Sequence, residues 1–400
     1  MVLPVPMRVD AAQDQQSLRD RLRIVAEVAA RHADAVDAAA RFPGEAIEAA
    51  REQGLLGMAI PATRGGQDAP MSDVINACYQ LGRACSATAM VFAMHQIKIA
   101  CLVGHAGDSA WLKDFQSRIA KKQLLLASST TEGQTGGDVR TSSGALDPVE
   151  TGFRLVRAAT VISYGAHADG LLTTARRAPD AAPNDQVLVA LERETYRLEP
   201  LAGWQTLGMR GTCSAGFNLA ATLEPGQVFP VPYHVIHGRT MMPVAHLTWS
   251  SVWAGIAAGA LERSRRFVRM AAARSNGHLP PGAAQLAQGT MTLRSLRHSI
   301  LGTLATYQAA LAHGDAIDTI SVQSELNLLK VNSSELATAT VLSALRATGL
   351  TGYRNDSEFS VGRYLRDVLS SSIMINNDRI LANTAAGLML SEIPGELFSV

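Results

Sequence analysis

The hydrophobic period of this chain changes twice, and that change restricts the fold more than any single motif. From Leu18, apolar residues recur at Leu22, Val25, Val28, Ala29 and Val36, close to the 3.6-residue period of a helix with one buried face. GLLGMAIP (54–61) interrupts this pattern, and the loop RGGQDAPMSD (64–73) ends on a Ser/Asp helix-start signal. A second helical block follows, from Asp73 through Cys101 and into the 120s. The period then falls to two. LLLASST (124–130), GFRLVRAATVI (152–162), LLTTARR (171–177) and QVLVALE (186–192) are short, β-branched or alternating runs parted by Gly and Pro turns. From about Leu247 the helical period returns, with SSVWAGIAAGALERSRRFVRMAAAR (250–274), then segments near 285–312 and 317–348 and a last helix near 360–389.

These blocks predict an α+β multidomain protein. Residues 1–123 form an N-terminal all-α domain, 124–240 a small antiparallel β-barrel or sandwich, and 241–400 a C-terminal four-helix bundle. Four hundred residues exceed one ordinary core, and 47% apolar with 18% charged residues describes a globular chain. A net charge of +1 supports neither nucleic-acid binding nor an acidic tail. Cys78, Cys85, Cys101 and Cys213 form no C-x-x-C pair, so they read as buried free thiols rather than a disulfide framework or zinc site. The N-terminal MVLPVPMRVDAAQDQQ lacks the basic and apolar regions of a signal peptide. Trp249–Leu261, the longest weakly polar run, is too short for a bilayer; the expectation is a cytoplasmic chain without a membrane segment.

STTEGQTGGDV (129–139) joins a strand end to a glycine-rich turn, where backbone N–H groups and hydroxyls can hold the polar edge of a cofactor ring. It is neither a Walker A loop nor a GxGxxG fingerprint. WQTLGMRGTCSAGFNLAA (204–221) sets Arg210 between glycines, and RATGLTGYRND (346–356) has the pattern of a helix C-cap and turn. In this order, and with FPGEAIEAAREQGLLGMAIPATRGGQDAP (42–70), SATAMVFAMH (86–95), GFRLVRAATVISYGAHAD (152–169) and GLTGYRNDSEFSVGRYLRD (349–367), the chain resembles the acyl-CoA dehydrogenase superfamily along almost its whole length.

The resemblance implies a flavin, normally FAD, at the junction of the β domain and the bundle. Ser129 and Thr131 belong to the flavin loop, with Thr131 where a family threonine bonds the isoalloxazine edge. Gly136 and Gly137 follow, with Gly137 replacing a pyrophosphate-contacting serine. Val161 replaces the tryptophan beside the flavin, and Ser163 replaces a threonine but keeps its hydroxyl. Arg346 replaces a glutamine, Gly349 opens the turn expected to meet a neighbouring subunit's dinucleotide, and Asn377 replaces a further cofactor-contacting threonine. These departures leave FMN open as the alternative cofactor. The turn from Gly349 to Gly352, where the resemblance places contact with a neighbouring subunit's dinucleotide, implies an oligomer, a homotetramer or homodimer.

RDVLSSSIMINNDRI (366–380) corresponds to the segment that carries the family's catalytic glutamate. Counting from Arg366–Asp367 places Ile375 there, and aligning AGIAAG (254–259) puts Trp249 at the position some members use instead. Neither can accept a proton. Asp378 lies three residues beyond Ile375, and His95 follows the apolar run AMVFAM on a helix expected to approach the substrate pocket. Catalytic residues therefore stay unassigned, with His95, Trp249 and Ile375 as pocket candidates. The resemblance implies α,β-desaturation of an acyl thioester first, with electrons passing to an electron-transfer flavoprotein. The alternatives are a flavin-dependent monooxygenase (hydroxylase or N-oxygenase) supplied by a flavin reductase, or a non-catalytic subunit of a heteromeric dehydrogenase.

Overall fold

A computed structural model describes residues 10–132, 139–275 and 278–390. Gly136 and Gly137 lie outside the described residues. The N-terminal part comprises α1 (Asp10–Ala38), α2 (Gly44–Glu52), α3 (Met71–Ala84), α4 (Ser86–His105) and α5 (Ala110–Lys122). Among these, α4 has the length and composition of a bilayer-crossing helix, with a mean hydropathy of 1.4, but 78% of that window is buried inside the protein. Reading only Trp249–Leu261 as the longest apolar run overlooked it. Its apolar residues face neighbouring elements on every side, which makes it a core helix of this fold.

The middle of the chain folds into seven strands in two sheets: β1 (Leu126–Ser129), β2 (Leu146–Val149), β3 (Gly152–Ile162), β4 (Gly170–Arg176), β5 (Gln186–Glu192), β6 (Tyr196–Ala202) and β7 (Ala215–Leu223). One sheet runs β1-β4-β5 and the other β2-β3-β7-β6. The antiparallel expectation needs one correction, because β1 pairs with β4 in parallel, Leu126 opposite Gly170. The chain leaves β1, builds the β2–β3 pair of the other sheet and only then returns as β4, so these neighbours run the same way.

A short helix α6 (Tyr233–Ile236) runs through a π-helical turn, His237–Met241, directly into α7 (Met242–Arg274). Helices α8 (Gly282–Ala312) and α9 (Ile320–Thr348) pack against α7 and each other, and α3 lies along α7. That last approach is close: a Cβ on Gly82 would stand 2.5 Å from the Val252 carbonyl oxygen, and one on Gly255 2.3 Å from that of Tyr79. Buried residues as far apart as Val25, Phe92, Leu172, Trp253 and Leu304 belong to one continuous apolar core.

The expected last helix is not continuous. After the short α10 (Leu350–Tyr353), it divides into α11 (Gly362–Val368), a 3₁₀ turn at Leu369–Ser372, and α12 (Asn377–Leu388). Ile375 adopts φ +50, a left-handed conformation rare for a β-branched residue, and the Asn376 side chain accepts from the Asp378 N–H to start α12 afresh.

Candidate functional site

A cavity of about 460 Å³ opens where α4, the β1 and β3 ends, the π-turn, α7 and the segment after α11 converge. The α4 wall carries Met90, Met94, Ile97 and Lys98, at helical spacing on one face. From α7 come Met242, Ala245, His246 and Trp249, again one helical stripe, preceded by His237 and Met241 of the π-turn. The strand ends add Ser128, Thr130, Thr131, Val161 and Ser163, and the break before α12 adds Ile373, Met374 and Ile375. No Asp or Glu stands among these lining residues.

Hydroxyls line one part of the wall in a connected chain. Thr212 Oγ1 and Ser214 Oγ lie 2.8 Å apart, and Ser214 Oγ donates to Ser163 Oγ at 2.8 Å. Because Ser163 accepts there, its own proton is uncommitted among the described hydrogen bonds. Trp249 is 8% exposed, and its indole Nε1–H is buried without a hydrogen-bond partner. A buried donor beside a cavity costs stability unless a ligand accepts from it.

Two loop motifs meet beneath the cavity. The Asp367 carboxylate accepts from the Met209 N–H at 2.7 Å, so LGMRGT docks on the Arg366–Asp367 pair. Asp367 is buried, and burial pushes its pKa up while the Met209 N–H opposes that rise. Arg366 pairs with Asp37 of α1 and donates to the Leu207 carbonyl at 3.1 Å. On the β side, Glu132 and Arg157 form a buried ion pair at 3.0 Å directly after Thr131. Burial raises the Glu132 pKa, but Arg157 and the Ser142 and Ser143 hydrogen bonds outweigh it and hold the carboxylate ionised.

Several sequence candidates sit elsewhere. His95 is fully buried: its Nε2–H donates to the Leu56 carbonyl at 2.7 Å, and Nδ1 accepts from the Leu126 N–H at 3.0 Å. Both ring nitrogens are therefore committed to the backbone, and His95 does not line the cavity. Ser129 also stays outside the lining. Side chains alternate along β1, so Ser128 and Thr130 face the cavity while Ser129 is buried on the opposite side. Asn377 turns inward, accepting from Lys330 Nζ at 2.7 Å and donating to Ser334 Oγ at 2.8 Å. Arg346 and Gly349 are exposed at the end of α9, and Asp378 is exposed on α12; none of them borders the cavity.

Sequence reasoning missed Lys98, His237, His246 and Lys330. Lys98 could have been noticed as the one lysine within the apolar α4 run. His246 Nδ1–H donates to the Leu326 carbonyl at 2.9 Å, leaving Nε2 as an acceptor, and burial lowers its pKa to about 3.

Residues 12–123 match the acyl-CoA dehydrogenase N-terminal domain, and residues 239–388 match the acyl-CoA dehydrogenase C-terminal domain. The chain belongs to the acyl-CoA dehydrogenase family. Within the family it is 24% identical to a dibenzothiophene monooxygenase of Mycolicibacterium goodii over 63% of this chain and 61% of that protein. The match thus spans under two thirds of that relative's length. An L-evernosamine nitrososynthase of Micromonospora sp. is 27% identical over 88% of this chain and 83% of its own. The fold superposes on FMN-bound TdsC of Paenibacillus sp. A11-2, a dibenzothiophene monooxygenase, with a TM-score of 0.83, 17% identity and coverage of 96% of this chain and 100% of that one.

Proposed function

We propose that this acyl-CoA dehydrogenase-family chain is a flavin-dependent monooxygenase that uses FMN, reduced by a separate flavin reductase, to oxygenate a small organic molecule. The observation that carries this reading is the cavity wall, which among the described residues contains no carboxylate. Desaturating an acyl thioester requires a base for the α proton with a pKa near working pH. Trp249 and Ile375 occupy the positions where the family resemblance places that glutamate. His246, with its pKa near 3, is too weak a base, and Lys98, whose pKa burial lowers to about 8, is mostly protonated at neutral pH.

The residues present fit a flavin ring. An isoalloxazine has one polar and one apolar edge; the cavity offers the hydroxyls of Thr131 and Ser163 together with the apolar surface of Val161 and the unsatisfied Trp249 N–H. Thr131 and Ser163 would hold the polar edge, and the bound flavin would supply oxygen activation. This chain's contribution is then to position the flavin and exclude water, with Met90, Met94, Met241, Met242 and Ile375 lining the chamber. The monooxygenase relatives agree with this assignment, and FMN accords with the FMN-bound structural neighbour. Exposed Arg346, Gly349, Leu350 and Tyr353 at the end of α9 are available to a neighbouring subunit in an oligomer.

The test is anaerobic photoreduction of the FMN-loaded protein followed by rapid mixing with oxygenated buffer. A species spectrally distinct from both oxidised and reduced flavin, persisting before the oxidised spectrum returns, is expected. Direct return with stoichiometric hydrogen peroxide, together with bleaching of the oxidised flavin by an acyl-CoA, would overturn the assignment in favour of desaturation.

A further inference from the structure

Lys98 is 5% exposed on α4, lines the cavity, and has no hydrogen bond or ion pair among the described residues. Its surroundings are apolar: Met94 and Ile97 flank it on the same helix, and Cys101 lies one turn on. The other titratable residues of the described lining are His237, His246 and Tyr233, none of them a carboxylic acid. An unpaired ammonium in such a place costs far more than an exposed one, so it stays only where it gains a partner. With its pKa near 8, it is cationic at neutral pH.

We infer that Lys98 is the specificity-determining residue for an anionic group on the substrate, and that this chain acts on small organic acids bearing a carboxylate or sulfur oxyanion. The counter-charge that the described lining lacks is brought by the ligand. Lys98 sits on the α4 wall with Met90 and Met94, while the hydroxyls suited to a flavin edge come from the β1 and β3 ends. The anion therefore enters on the thioether-lined wall, where polarisable sulfur accommodates a flat or irregular apolar body. This assignment rests on the cavity being the substrate chamber of the proposed oxygenase. It does not depend on how the reduced flavin reacts with oxygen, so the two readings fail separately.

One alternative source of the anion is the flavin itself, whose reduced ring and phosphate are negatively charged. The experiment distinguishes them. FMN-loaded protein is titrated with 2-naphthoate and, in parallel, with its neutral amide 2-naphthamide, following the flavin absorbance change. Wild type is expected to bind the acid at least about tenfold more tightly than the amide. Lys98→Met should reduce that preference below about twofold, and Lys98→Arg should retain it, with FMN affinity unchanged in both. Lys98→Met should also melt no lower than wild type, because it replaces an unpaired buried charge with an apolar chain of similar length. The inference is overturned by equal binding of acid and amide to wild type, or by a preference that survives in Lys98→Met. A Lys98→Met protein that weakens FMN more than 2-naphthoate overturns it as well, assigning the lysine to the flavin, and a lower melting temperature makes Lys98 a structural residue.

Discussion

Lys330 Nζ donates to the Ile375 carbonyl at 2.6 Å and to Asn377 Oδ1 at 2.7 Å, tying α9 to the break before α12. Ile375 stands in the left-handed region at φ +50, a conformation that costs a β-branched residue roughly 1–3 kcal/mol. The lysine bond to that residue's own carbonyl holds it there. Lys330 is buried, lies 5.7 Å from the centroid of the Trp253 ring, and has its pKa lowered to about 8 by burial. No acidic group accepts from it in its described hydrogen bonds. An ammonium thus fixes the turn that brings Ile373, Met374 and Ile375 into the cavity wall.

Lys330→Met is expected to release that turn. It removes both donors and leaves the strained Ile375 without its anchor, while relief of the buried charge offsets part of the loss. The net destabilisation should be about 2 kcal/mol. Hydrogen exchange read by mass spectrometry should show faster exchange in peptides covering 370–380 and unchanged exchange in β1 and β3. Wild-type exchange in that segment would show that the lysine does not hold it.

Gly208 offers a test of how LGMRGT docks on the segment after α10. A Cβ there would stand 2.1 Å from the Arg366 carbonyl oxygen and 2.7 Å from the Asp367 nitrogen. Gly208→Ala must therefore push the two backbones apart and stretch the Asp367–Met209 bond, costing roughly 2–4 kcal/mol. Gly203→Ala is the internal control, because nothing lies within 4 Å of its Cβ. Urea denaturation of both variants should separate them, with Gly203→Ala within about 0.5 kcal/mol of wild type. Similar midpoints for the two would contradict the close packing at Gly208.

The Glu132–Arg157 pair supports the strand end that presents Thr131. Arg157 also donates to Thr173 Oγ1 at 3.1 Å and to Thr174 Oγ1 at 3.0 Å, crossing from one sheet to the other. Arg157→Met strands a buried carboxylate and is expected to cost about 3–5 kcal/mol. Adding Glu132→Gln to that variant should recover a large part of the loss, since the uncompensated charge is then gone. A double-mutant cycle in chemical denaturation measures the recovery, and strict additivity would mean that the two groups do not depend on each other.

The α–β–α order was legible because hydrophobic period is a local property. The break at Ile375 was not, because no Gly or Pro marks it and its anchor, Lys330, lies 45 residues away in sequence. Trp249 and Ile375 could be placed by counting from family motifs, and both border the cavity. Ser129 shows the opposite limit: its neighbours Ser128 and Thr130 border the cavity, but strand alternation turns it away. Lys98 and His246 were overlooked for a related reason. A lone polar residue in an apolar helix has the same sequence pattern whether it faces a cavity or is satisfied by backbone, as His95 is.

His95 gives the acid sensitivity of the fold a named source. Burial lowers its pKa from 6.5 to about 4, and it stays neutral so that Nδ1 can accept from Leu126. Below pH 6.5 the unfolded chain takes up a proton that the folded chain refuses until near pH 4. Stability therefore rises with pH across this window and is lost as pH falls through it, by about 3 kcal/mol for this residue alone. His246, lowered to about 3, acts with the same sign. His95→Gln should be less stable than wild type at pH 7, because it breaks the Leu56–Leu126 bridge, yet it carries no titrating group. The stability gap between the two proteins should accordingly shrink as pH falls from 7 to 5 in urea titrations. A gap that stays constant over that range would place the acid sensitivity elsewhere.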